Sequence, residues 1–149
     1  MTPFVLLVSA ALGWIAVVLL IAEVVLPYLS RPNALSRVLR LAGSFTGALA
    51  ERMRPHAWLG YAIVGLSGLH AIAGLAVGLS RIDMAGLWFA IAAFAALCAQ
   101  WVLGSRLMRR ALEHRQRLRR WHFGAMVGAC AAIFAHAFLN GALLRAFIP

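Results

Sequence analysis

Four stretches of this chain, at roughly 4–29, 56–79, 85–104 and 121–148, are too long and too apolar to be core helices of a water-soluble domain. Each exceeds the ~18 nearly uncharged residues that suffice to cross the hydrocarbon of a bilayer. In lipid, every backbone N–H and C=O must find its partner within the segment, so each stretch is committed to helix. The expected fold is all-α, a transmembrane four-helix bundle forming a single membrane domain over residues 1–149. A hydrophobic fraction of 64% with 12% charged residues lies outside the soluble globular range and agrees with this. Met1 to Leu29 has no basic region ahead of its apolar run, so it reads as a retained helix rather than a removed signal peptide.

The charge is one-sided. All 14 basic residues are arginines, set against four acids (Glu23, Glu51, Asp83 and Glu113), for a net charge of +10. Clustered arginine is also the footprint of phosphate binding in nucleic-acid proteins. Here the clusters flank apolar spans, and topology accounts for them without nucleic acid. Twelve of the arginines fall in segments 30–55 and 105–120, which must share one side of the membrane. The positive-inside rule makes that side cytoplasmic and places both termini and the Ser80–Met84 turn outside. Trp88, Trp101 and Trp121 stand where interfacial anchors belong.

In segment 30–55, Leu35, Val38, Leu39, Ala42, Phe45 and Leu49 share one helical face, while Arg37, Arg40, Ser44 and Glu51 share the other. The segment is either a short interfacial amphipathic helix between spans 1 and 2 or, given Gly43 and Gly47, an ordered loop packed on the bundle. Segment 105–120 reads as an arginine-rich helical extension of the third span followed by a turn, its charges meeting anionic lipid. Cys98 and Cys130 lie in apolar spans, where thiols act as small hydrophobes and imply neither disulfide nor zinc. Glu23 is an acid inside the first span: either it serves a proton beside a quinone site, or it pairs with an arginine near the helix end.

Four of the five histidines form a pattern. His56 and His70 are fourteen residues apart in the second span, and His122 and His136 are fourteen apart in the fourth. That separation is about 3.9 turns, placing each pair on one face within about 40° and at depths roughly 21 Å apart. Spans 2 and 4 run in the same direction, so His56 is level with His122 and His70 with His136. An imidazole contributes a neutral nitrogen donor, and two of them on opposite faces of a haem iron saturate its axial positions. Ligands at two membrane depths cannot share one bare ion, which argues against a single non-haem centre. The expected cofactors are two haems, one held by His56 and His122 near the cytoplasmic face and one by His70 and His136 further out. The small residues Gly60, Ser67 and Gly74 on span 2, and Ala125, Ala129 and Ala132 on span 4, leave room for close packing on the histidine faces. Propionate contacts are expected from one or two polar residues at the span ends, with Arg54, Arg120 and Asn140 as candidates and Arg52, Arg119, Arg81 and Arg145 near them. His114, among arginines, reads as a solvated surface residue.

The H-x13-H pattern on the second and fourth of four spans resembles the haem-binding four-helix bundle of the cytochrome b superfamily, including small bacterial di-haem b-type cytochromes and the cytochrome b561-like and ferric-reductase-like membrane domains. The resemblance covers spans 2 to 4. It implies non-covalent haem b ligated by His56, His70, His122 and His136, a bacterial inner membrane location, and electron passage across the membrane through two haems in series. The chain has no flavin or nicotinamide domain and no Cys-x-x-Cys-His. Quinone or redox partner subunits would therefore supply or take the electrons. A stand-alone reductase of an external metal ion or small molecule remains open, as does a haem-free structural or assembly protein whose histidines pack or sense pH.

Overall fold

The structure is a computed structural model that describes residues 3–29, 53–77, 83–109 and 114–140. Within them are four helices: α1 (Pro3–Leu29), α2 (Arg54–Val77), α3 (Met84–Arg109) and α4 (Arg115–Asn140). All four are long and apolar enough to cross a membrane. This is a multi-pass membrane protein. The expected interfacial helix or loop after span 1 lies outside the described residues, as do Arg52, Arg81 and Arg145.

The helix starts follow local chemistry. Pro3 and Pro55 sit in first turns, where a missing N–H is no loss. Asp83 caps α3, its Oδ2 accepting from the Gly86 N–H at 2.8 Å. The arginine-rich helical extension expected of the third span is present, α3 running to Arg109. One boundary differs from the sequence reading: residues 115–120, at the end of the segment expected to close in a turn, are the first turns of α4. Hydropathy locates the hydrocarbon-crossing part of a helix and is blind to polar turns beyond it. Arginine is a good helix former, so α4 begins six residues before its apolar part.

Packing is inside-out relative to a soluble protein. Large apolar side chains such as Trp14, Val18, Trp58, Ile72, Trp88 and Phe134 face outward, while Ser9, Glu23 and Gln100 are buried. With lipid outside, apolar surface has no reason to hide, and polar groups gather where they find partners.

Helices α1 and α2 form one closely packed antiparallel hairpin and α3 and α4 a second, with α2 lying against α3. Between α1 and α4 the bundle is looser, leaving an apolar groove of about 620 Å³ lined by residues including Trp14, Ile21, Ile133 and Phe134.

The buried positions of each helix recur at seven-residue steps: Ser9, Ala16 and Glu23 on α1; Gly86, Ala93 and Gln100 on α3. On α2 and α4 the same steps are His56, Ile63 and His70, and His122, Ala129 and His136. Ile63 and Ala129, midway between the histidines of their helices, are 1% and 0% exposed. With Leu20 and Leu97 they form an apolar layer at mid-bundle.

Candidate functional site

Seven residues are nearly two full helical turns, so a heptad step returns to almost the same face. The histidines therefore look inward from α2 and α4 above and below the apolar layer. They meet as the sequence predicts. The His56 and His122 rings lie 6.2 Å apart between centres and are crossed at 81°. The His70 and His136 rings lie 6.0 Å apart and are crossed at 77°.

Three of the four imidazoles are held from behind by the helix next door. His70 donates its Nδ1–H to the Ser9 carbonyl at 2.7 Å, with Ser9 Oγ at 3.3 Å. His136 donates in the same way to the Gly86 carbonyl at 2.9 Å, and His122 to the Gln100 carbonyl at 3.0 Å. A carbonyl can only accept, so Nδ1 carries the hydrogen and the neutral ring keeps its lone pair on Nε2. Metal-bound histidines are fixed in this manner, through the ring nitrogen that the metal does not use.

His56 differs. Among the described residues its Nδ1 has no hydrogen-bond partner, and it lies 3.7 Å from Glu23 Oε1. The sequence reading offered Glu23 an arginine near the helix end as partner. The structure turns it toward His56 instead, and among the described residues no arginine pairs with it. The reason is register: Glu23 occupies the same inward heptad face as Ser9 and Ala16, away from the surface where Arg54 is exposed.

Glycines let the neighbours come this close. A Cβ on Gly13 would stand 3.1 Å from the His70 ring, one on Gly104 3.2 Å from His122 Cε1, and one on Gly60 3.1 Å from Glu23 Oε1. At Gly86 a Cβ would fall inside the Asn140 side chain. Asn140 fills that space, and its Oδ1 accepts from the Asp83 N–H at 3.0 Å. In a capping box that bond comes from a Glu or Gln at the third helical position, which here is Gly86, so α4 completes the cap of α3 from outside.

Of the candidate propionate contacts, Arg54 and Arg120 are exposed at the His56–His122 end. Asn140 has its Oδ1 engaged, but its Nδ2 is buried without a partner among the described residues. Gln100 Oε1 is likewise buried without one. His114 is exposed, and Cys98 and Cys130 are half-buried free thiols.

Ser9, Gly13, Gly86, Gln100 and Gly104 were not singled out from the sequence. A signal existed: Ser9 and Glu23 are fourteen residues apart, as are Gly86 and Gln100, repeating the histidine spacing on the two helices that back them.

No family model, curated protein or solved structure matches this chain. What it can hold is argued from donors alone. Among the described residues no three His, Cys, Asp or Glu side chains gather to hold a metal ion by themselves. Each level offers two imidazoles, which suits a metal whose remaining positions are filled by a macrocycle. Metal–imidazole bonds are about 2 Å and a ring centre lies about 1.1 Å behind its nitrogen, so two imidazoles on one metal have centres about 6 Å apart. Both levels are at that separation.

Proposed function

We propose that the chain is a di-haem b-type cytochrome of the cytochrome b kind, carrying electrons across a bacterial inner membrane as the membrane subunit of a larger redox complex. The observation that carries this reading is the pair of crossed imidazole couples, 6.2 and 6.0 Å between centres, at two depths of one bundle.

Bound at these levels, two haem b groups would supply one-electron relay chemistry, with quinone or a partner protein as the source or sink of electrons. The protein's part is structural. His56, His70, His122 and His136 would be the axial ligands, and the Ser9, Gly86 and Gln100 carbonyls keep three of them in one tautomer. Holding each haem through two histidines would favour electron transfer over oxygen chemistry. The exposed Arg54 and Arg120 at one end, and the unpartnered Asn140 Nδ2 at the other, are donors suited to propionate carboxylates. The arginine-bearing end is the cytoplasmic one by the positive-inside rule.

The test is a reduced-minus-oxidised spectrum of the purified protein with extraction and counting of haem. Two haems b per chain are expected. His56→Ala and His122→Ala should each remove one and the same haem, His70→Ala and His136→Ala the other. A chain free of b-type bands would leave a packing or assembly role, and loss of a single shared haem in all four variants would break the pairing.

A further inference from the structure

We infer that Glu23 is a positioning residue that makes the two haem levels electrically unequal: its carboxylate faces the Nδ1 of His56 and holds that level at the lower midpoint potential. This rests on the two-haem reading above and adds a residue and a direction to it.

The inference comes from comparing the two hairpins. Their buried positions correspond one to one: Ser9 with Gly86, Ala16 with Ala93, Glu23 with Gln100, and the histidines with each other. At the outer level the match is complete, since both imidazoles rest on backbone carbonyls, those of Ser9 and Gly86. At the arginine-bearing level it breaks. His122 donates to the Gln100 carbonyl, whereas His56 Nδ1 makes no hydrogen bond among the described residues and has the Glu23 carboxyl 3.7 Å away. The broken position is Glu against Gln, two side chains of nearly one shape that differ by a charge.

Three further observations fit a placed carboxylate. Glu23 is 6% exposed, a costly position for an acid unless something there answers it. Gly60 leaves the space its Oε1 occupies, 3.1 Å from where a Cβ would stand. His56 Nδ1 is buried without a hydrogen bond among the described residues, and Glu23 Oε1 stands 3.7 Å from it. A carboxylate behind a ligating imidazole raises the basicity of the nitrogen that binds the metal, more than a neutral carbonyl does. A stronger donor and a nearby negative charge both favour the more positive, oxidised state of the iron, which lowers the potential.

The experiment is a redox titration of the purified protein, followed in the haem absorption bands, for wild type, Glu23→Gln and Glu23→Asp, with haem counted in each. His56→Ala identifies which component belongs to the Glu23 level. Glu23→Gln should keep two haems and raise the midpoint of that component alone. A tenfold change in the preference for oxidised over reduced iron is expected, about 59 mV for a one-electron couple. Glu23→Asp, which keeps the charge, should stay nearer wild type. If Glu23→Gln sheds that haem, a two-haem Glu23→Asp protein with the low midpoint supports the role. Shedding by both variants overturns it, because shape and not charge would then be at work. Two haems with unmoved midpoints in Glu23→Gln overturn the inference and leave the two-haem reading standing. A wild-type protein without haem overturns both.

Discussion

Replacing Gly86 by alanine should damage the protein far more than one methyl group suggests, and the damage should vanish when Asn140 is removed as well. The added Cβ would lie 2.6 Å from Asn140 Cγ and closer still to its amide nitrogen. Carbon atoms in contact sit ~3.5–4.0 Å apart, so the overlap is about 1 Å, too much for local give. Asn140 must leave, taking with it the bond from the Asp83 N–H. The lost hydrogen bond is worth ~0.5–1.5 kcal/mol and the crowding ~1–3 kcal/mol. Alanine returns ~0.5–1 kcal/mol of helix preference. The net expectation is a loss of about 0.5–4 kcal/mol for Gly86→Ala. Asn140→Ala loses the same bond but also removes a buried, unpartnered Nδ2, so it should fall within about 1 kcal/mol of wild type. In the double variant the alanine meets open space, giving a coupling energy of about 1–3 kcal/mol. Reversible unfolding in mixed detergent micelles, run as a double-mutant cycle, measures this. Additive losses would refute the reasoning, because they would mean that residue 86 and residue 140 do not compete for one space.

Gly13→Val and Gly104→Val should each act on one level only. The first crowds His70 and the second His122, so on the proposed two-haem reading haem titration into the apoprotein should show a ~10–100-fold loss of affinity at the His70–His136 level for the first variant and at the His56–His122 level for the second; loss at both levels in either variant would count against the pairing. Ile63→Ala, which empties the layer between the levels, should cost ~2–5 kcal/mol in the same unfolding assay, with Ile63→Val at ~0.5–1.5 kcal/mol. An unfolding midpoint unchanged in Ile63→Ala would show that the layer is not packed as described.

The parts of this fold that could be read from the chain are those written in side-chain chemistry. Four apolar runs named four helices, because lipid permits little else, and the equal spacing of His56–His70 and His122–His136 named both levels, because helical geometry leaves no freedom once span direction is known. What holds the imidazoles could not be read so directly. The acceptors for three of the four imidazoles are backbone carbonyls, which every residue has, so Ser9, Gly86 and Gln100 carry no mark of that role beyond their spacing. The glycines at 13, 86 and 104 matter for what they lack, and a missing Cβ is informative only when its neighbour is known. Glu23 was visible as an anomaly, but its partner depended on which way α1 is rotated, and the heptad of buried Ser9, Ala16 and Glu23 settles that toward His56. The early start of α4 escaped because arginines end a hydrophobic run without ending a helix.

The seven-residue step shared by all four helices has an effect on how such a chain can change. Inserting one residue between His56 and His70 would swing one imidazole by about 100° while its partner on α4 stayed put. The distance between the two levels is thus stored as a whole number of residues, the same number in every helix. It cannot drift by small edits; it would have to jump by a full heptad in four places together. A molecule built this way is free to vary its loops and its lipid-facing surface, and is locked in the count between its histidines.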